Sequence, residues 1–181
     1  MKRLILSATL IAGVMGSSVA YAGANFGVSL SGASLSNLPN RAVMYQGVFG
    51  YTKENVRAGL NVGIEARLGL TGKTSETTTT SGITATTDLE MPSALSLFVK
   101  TANVYDDIEF YALVGYSSFS LQAKVSSGGI STSASADYSG LSYGVGLSKS
   151  FGERSVGIEY IQYHGDLPNV NAFGVTILRR F

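Results

Sequence analysis

Sixteen residues, Val56 to Thr71 (VRAGLNVGIEARLGLT), constrain this chain more than any other stretch. Every second residue from Val56 to Leu70 is Val, Ala, Leu or Ile. The residues between them, Arg57, Gly59, Asn61, Gly63, Glu65, Arg67, Gly69 and Thr71, are glycine, polar or charged. Successive side chains on a strand point to opposite faces, so the stretch reads as a β-strand with one apolar and one polar side. On a helix the same apolar residues would run all the way round. Sixteen residues is long for a strand, whose usual length is about 5–6.

The remainder of the chain decides which face meets which solvent. Lys2 and Arg3, the apolar run Leu4–Met15 and the Ala20-Tyr21-Ala22 motif read as a cleaved export signal over 1–22. Cleavage would leave 159 residues, 23–181, as one domain, with 11 basic and 12 acidic groups. That balance gives no reason to expect nucleic acid. Cysteine is absent, so disulfides contribute nothing to an exported fold. Only 14% of residues are charged and mean hydropathy is +0.21, yet no apolar run after the signal is long enough for a membrane helix. Apolar residues must therefore be interleaved with polar ones, which favours strands.

Eight strands follow from that interleaving, at about 24–35, 41–52, 56–71, 91–102, 108–122, 138–151, 155–163 and 170–181. The connections after the second, fourth and sixth strands are turns of three to five residues, Lys53–Asn55, Asn103–Asp107 and Gly152–Arg154. Those after the third and fifth, Gly72–Glu90 and Ala123–Asp137, are long and rich in Ser and Thr. Short turns at one end and long loops at the other are the mark of an outer-membrane barrel. The polar faces carry Gly, Ser, Ala and Asn with few charges, which suits a narrow lumen better than a water-exposed exterior. Phe26, Tyr51, Tyr105, Phe110, Phe151 and Phe181 fall at the short-turn end. Tyr116, Tyr138, Tyr143, Tyr160 and Phe173 lie toward the other, as two interfacial belts require. The expected fold is all-β: an eight-stranded antiparallel up-and-down transmembrane β-barrel with short periplasmic turns and longer extracellular loops.

The last strand, AFGVTILRRF, ends in Phe181 with Ile177, Val175 and Phe173 at alternate positions before it. It resembles the C-terminal signal read by the outer-membrane assembly machinery, with Arg179 standing where that signal usually has an aromatic or apolar residue. The chain from 23 onward resembles the small outer-membrane β-barrels of Gram-negative bacteria, the OmpA-transmembrane-domain and OmpX/Ail-like group. That resemblance implies an outer-membrane location, lipid and the assembly machinery as partners, and a monomer. It specifies architecture rather than activity, because such barrels host adhesins, enzymes and structural proteins.

Three candidate sites emerge. The first is a lumen set of Arg57, Glu65, Arg67, Lys100, Glu109, Glu159 and Arg180, read as a salt-bridged plug, with a gated ion path as the competing reading. The second is His164, the single histidine, near Asp166 and Tyr163. It has no adjacent serine and does not match the His-x-Ser pattern of the lipid A deacylase family, so it reads as a loop residue rather than a base. One histidine, no cysteine and scattered carboxylates also give no metal cluster, and no cofactor is expected. The third is the pair of long loops, with turn signals at Ser81-Gly82 and Gly128-Gly129. Their Thr content predicts hairpins projecting above the membrane rather than disordered loops. Such a sheet can bind an extracellular protein or surface ligand by strand addition. The expected function is non-enzymatic, structural or adhesive through loops 72–90 and 123–137. A small porin-like passive pore is the alternative.

Overall fold

The computed structural model describes residues 22–35, 41–57, 60–80, 83–164 and 169–181. All regular structure among them is strand: β1 (Ala22–Leu35), β2 (Arg41–Arg57), β3 (Leu60–Thr71), β4 (Thr74–Thr80), β5 (Ile83–Tyr105), β6 (Ile108–Ser127), β7 (Ile130–Phe151), β8 (Arg154–Tyr163) and β9 (Val170–Arg180). Neighbours pair antiparallel in chain order, and β1 closes on β9 through Val28↔Ile177. β3 also pairs directly with β5, from Leu60↔Asn103 to Gly69↔Ala94. β4 stands outside that ring: it continues β3 upward after Gly72-Lys73 and pairs with β5 alone, from Thr74↔Leu89 to Thr80↔Ile83. Nine strands thus build an eight-stranded up-and-down barrel whose third strand has an upper extension.

The alternation holds around the ring with the apolar face outward. Val28, Leu30, Leu68, Leu70, Leu95, Val99, Phe110, Val114, Val145, Ile158, Val175 and Ile177 are exposed on the outside. Ser29, Gln46, Asn61, Glu65, Arg67, Ser96, Lys100, Glu109, Ser142 and Glu159 are buried within. A soluble barrel would have the opposite distribution. Lipid accepts the apolar band, and closure leaves no unpaired strand edge in hydrocarbon.

The organising stretch is shorter than its alternation implies. β2 runs on to Arg57 with an irregularity between Lys53 and Arg57, and β3 opens at Leu60. The connection is therefore residues 58–59, which lie outside the described residues, rather than Lys53–Asn55. Alternation continues in period two through a short connection, so the pattern alone could not locate the hairpin. The other two short turns are also tighter than expected, at Asp106-Asp107 and Gly152-Glu153. Asp106 and Gly152 supply the positive φ such turns need, at 53° and 63°.

The long connections are strand almost throughout. β5, β6 and β7 have 23, 20 and 22 residues, against the ~9–11 a tilted strand needs to span. Their upper parts form, with β4, a four-stranded sheet standing above the barrel. Gly128 and Gly129, both at positive φ, close β6 onto β7. The Ser81-Gly82 signal lies outside the described residues, between the paired Thr80 and Ile83.

Candidate functional site

Glu65 and Arg67 sit two residues apart on the inner face of β3, and Glu159 comes from β8 across the lumen. Arg67 is 1% exposed and forks between the two carboxylates. Its Nε donates to Glu65 Oε1 at 2.6 Å; Nη1 and Nη2 donate to Glu159 Oε1 and Oε2 at 2.6 and 2.8 Å. Two parallel charge-assisted bonds to one carboxylate are the strongest geometry available to a guanidinium. Ser29 from β1 donates to Glu159 Oε1 at 2.9 Å, and the Tyr111 hydroxyl from β6 donates to Oε2 at 3.0 Å. Phe98 covers the guanidinium from β5, 5.6 Å from the ring centroid. Five strands converge on this cluster, so the narrow barrel is cross-tied through its centre.

A second cluster lies nearer the short-turn end. Lys100 Nζ donates to Glu109 Oε1 and sits over the Tyr111 ring. Arg180 Nη2 is 3.8 Å from Glu109, while Nη1 donates to Glu54 at 2.6 Å. The seven expected lumen residues therefore do not form one network. Glu65, Arg67 and Glu159 form one cluster, and Lys100 and Glu109 another. Arg180 is a rim residue, because β9 ends at the barrel mouth and leaves its side chain about half exposed. Arg57 pairs in register with Leu60 at the barrel end, and its side chain lies outside the described residues.

Sequence reasoning missed Tyr111, Ser29 and Phe98. Tyr111 carried a usable signal: it is an aromatic residue on a small-residue face, directly opposite Gly146. A Cβ on Gly146 would lie 2.2 Å from the Tyr111 ring, so the missing side chain there lets the ring lie across the lumen to Glu159.

Above Tyr116 and Leu141 the polarity of the wall reverses. The register of β6 with β7 runs unbroken from Ile108↔Lys149 to Ser127↔Ile130, so each strand keeps its faces. Below the reversal the outside carries Phe110, Val114 and Tyr116. Above it the outside carries Ser118, Ser120, Gln122 and Lys124, and the inside carries Phe119, Leu121, Ala123 and Val125. Tyr138 accordingly faces inward and stacks on Phe119 at 5.6 Å rather than joining the outer belt. The belt itself is tied by polar tips: Tyr116 to Ser139 at 2.9 Å, Tyr143 to Gln162 at 2.8 Å and Tyr160 to Asn171 at 3.1 Å.

The outer face of the projecting sheet is laced across β4 and β5. Ser75 donates to Asp88 at 2.6 Å, Thr77 meets Thr86 at 3.3 Å and Thr79 meets Thr84 at 3.1 Å. Lys73 lies 2.7 Å from Asp88. The Lys73 ammonium, then the Ser75 hydroxyl, hold the Asp88 carboxyl below its ordinary pKa. Both lateral edges of this sheet lack a neighbour among the described residues. Nothing pairs with the far side of β4, and β7 meets β8 only from Ser142 downward.

Of the C-terminal residues, Phe173, Val175, Ile177 and Phe181 are exposed on the outer face of β9 and its end. Arg179 beside them bonds Glu153 at 3.0 Å and lies over the Phe181 ring. His164 Nε2 is 3.0 Å from the Tyr143 hydroxyl, with the rings 5.1 Å apart. Asp166 lies outside the described residues.

Comparison with curated proteins found no match. Among solved structures, the attachment invasion locus protein Ail of Yersinia pestis is similar, at 18% identity over 88% of this chain and 97% of its own, with a TM-score of 0.56. The N-terminal β-barrel domain of Pseudomonas aeruginosa OprF is similar at 14% identity, over 87% and 97%, with a TM-score of 0.58. The outer membrane enzyme PagL is similar at 11% identity, over 86% and 98%, with a TM-score of 0.51. At these identities the likeness is one of fold, and an enzyme among the three shows that this fold does not dictate activity. Residues 4–181 match the outer membrane protein beta-barrel domain, nearly the whole chain, and the protein belongs to that family of outer-membrane barrels.

Proposed function

We propose that this protein is a non-enzymatic surface barrel whose lumen is closed and whose projecting β4–β7 sheet binds an extracellular protein or surface ligand by strand addition. The observation that carries the reading is the pair of free edges on a sheet held above the membrane. A strand edge presents unpaired N–H and C=O groups in the spacing an incoming strand needs. Soluble domains usually blunt such edges with lysine or proline. Here β4 offers TSETTTT, which has neither. The similarity to Ail, an attachment protein by name, is in keeping with this role.

Deletion of 74–87 tests the proposal. Cells displaying the full-length protein are expected to adhere to host-cell or matrix surfaces. Cells displaying the deletion lose that adhesion while the barrel keeps its heat-modifiable migration. Equal adhesion by both refutes the role of the sheet. The closed lumen is supported by the fork of Arg67 between Glu65 and Glu159, since eight strands leave an interior that side chains fill. Planar-bilayer recording tests it: Glu65→Ala lowers stability if the cluster is structural, whereas a rise in conductance at unchanged stability favours the pore. Residues 1–22 then serve as a cleaved export signal, and Phe173, Val175, Ile177 and Phe181 as the assembly signal. Amino-terminal sequencing of membrane-extracted protein tests the first, and the yield of folded Phe181→Ala tests the second. A monomer is in keeping with a closed barrel that leaves no strand edge within the membrane, and cross-linking in intact membranes tests it.

A further inference from the structure

At the foot of the projecting sheet a cavity of about 240 Å³ opens above the lumen. Ala33, Ala42, Leu89, Met91 and Leu121 give it an apolar wall. Ala33 and Met91 are buried and form its floor. A β-bulge shapes it. The register of β5 against β6 shifts between Glu90 and Ser93, and the freed Met91 amide donates instead to the buried Thr71 hydroxyl at 2.8 Å. That bond ties the end of β3 to the bulge and holds the floor in place. Glu90, in register with the outward Gln122 just before the shift, stands at the rim: it borders this cavity and also an outer hollow with Lys73, Asp88 and Lys124.

The charge of the lining has one sign. Glu76 and Glu90 belong to it, and no Lys, Arg or His does. Glu76 pairs in register with Thr87, which places it on the inner face of the sheet. Among the described residues it is the only charged side chain on the inner face of the projecting part of β4 to β7, above the level of Tyr116 and Leu141. Thr74, Thr78 and Thr87 add hydroxyls that accept hydrogen bonds.

We propose that this cavity is a binding site for a small organic cation, an ammonium group carrying an apolar body of phenylethyl size. A dry apolar cavity of about 150 Å³ holds benzene. The larger volume here admits a ring plus a short linker that reaches the carboxylate. Anionic amphiphiles of the same shape are disfavoured, because they would place a carboxylate beside Glu76 on the inner face, where no Lys, Arg or His lines the cavity. The site uses the inward side chains of the edge strand β4, Thr74, Glu76 and Thr78, rather than its free backbone edge, and so does not depend on that edge engaging a partner.

The test uses full-length mature protein refolded into lipid nanodiscs, since detergent chains would compete for an apolar cavity. The protein carries ¹³C-methyl methionine, and the Met91 signal is assigned by its disappearance in Met91→Leu. Phenethylammonium is titrated against its near-isosteric anion, 3-phenylpropanoate, with empty nanodiscs as the partition control. A saturable shift of the Met91 methyl with the cation, and a much weaker response to the anion, is the expected result. Glu76→Gln, an exposed change that leaves heat-modifiable migration intact, is expected to weaken cation binding about threefold or more. No saturable shift, equal response to cation and anion, or unchanged affinity in Glu76→Gln overturns the proposal.

Discussion

Glu159→Gln tests the centre of the barrel most directly. Glu159 is 3% exposed and accepts four bonds, two from Arg67, one from Ser29 and one from Tyr111. Glutamine has nearly the same shape, so the substitution creates no cavity. It replaces one oxygen by an NH₂ group, and either flip fails in the same way. At the Oε1 position the NH₂ faces Arg67 Nη1; at Oε2 it faces Nη2. Ser29 and Tyr111 can rotate their hydroxyls to accept, but the guanidinium cannot accept at all. One Arg67 N–H is thus always set against a donor, and the bidentate carboxylate is lost, leaving Arg67 paired with Glu65 alone. Breaking a buried pair by removing one partner costs about 3–5 kcal/mol.

Glu65→Gln gives the internal comparison. It removes one arm of the fork and leaves the bidentate pair of Arg67 with Glu159 intact. Its cost should fall below that of Glu159→Gln. Urea unfolding of both variants in lipid vesicles, followed by the shift between folded and unfolded gel mobility, measures the difference. A Glu159→Gln loss under about 1 kcal/mol, or a larger loss for Glu65→Gln, would show that the bidentate pair does not hold the barrel wall together.

Three further outcomes follow from local geometry. Gly146→Ala puts a methyl group into the Tyr111 ring and forces its hydroxyl off Glu159, so the same assay should show a loss of about 1–3 kcal/mol. Replacing Gly128-Gly129 by two alanines forces positive φ on residues with a Cβ, and should loosen the β6–β7 tip, read as faster amide exchange over 124–134, without altering barrel migration. Asp88 contributes to the β4–β5 hairpin through a lowered carboxyl pKa, so its contribution is full above the ordinary carboxylate range near pH ~4 and is lost as pH falls through the lowered value. Amide protection across 74–80 should therefore drop on acidification, and Asp88→Asn should remove that pH dependence.

The ring of the barrel was legible because lipid outside and a filled lumen inside impose one rule on every strand. Val28 to Leu30 and Val175 to Ile177 obey it as plainly as Leu60 to Leu70. Two things were not legible. The first was which charges meet. Inward parity assigns Glu65, Lys100 and Glu159 to the lumen, but height along the barrel depends on register and tilt, and these place Lys100 with Glu109 and leave Arg180 at the rim. The second was the hairpin between β2 and β3, where the two-residue period runs through the connection and hides it.

The projecting sheet shows why period alone is insufficient. The alternation of β6 does not change along its length, yet its meaning inverts between Tyr116 and Phe119. Below that level the outer environment is hydrocarbon, and Phe110, Val114 and Tyr116 belong there. Above it the outer environment is water, and Ser118, Ser120, Gln122 and Lys124 replace them. The inner side inverts too, because at that height it no longer has to accommodate Arg67 and its carboxylates. Phe119 is buried there and Tyr138 stacks on it. A strand crossing an interface thus records the interface as a switch in which parity is apolar, without a break in pairing. That switch marks where the membrane ends on this barrel. It also explains why the apolar cavity and the unpaired edges both lie above it, where water makes a strand edge tolerable and hydrocarbon would not.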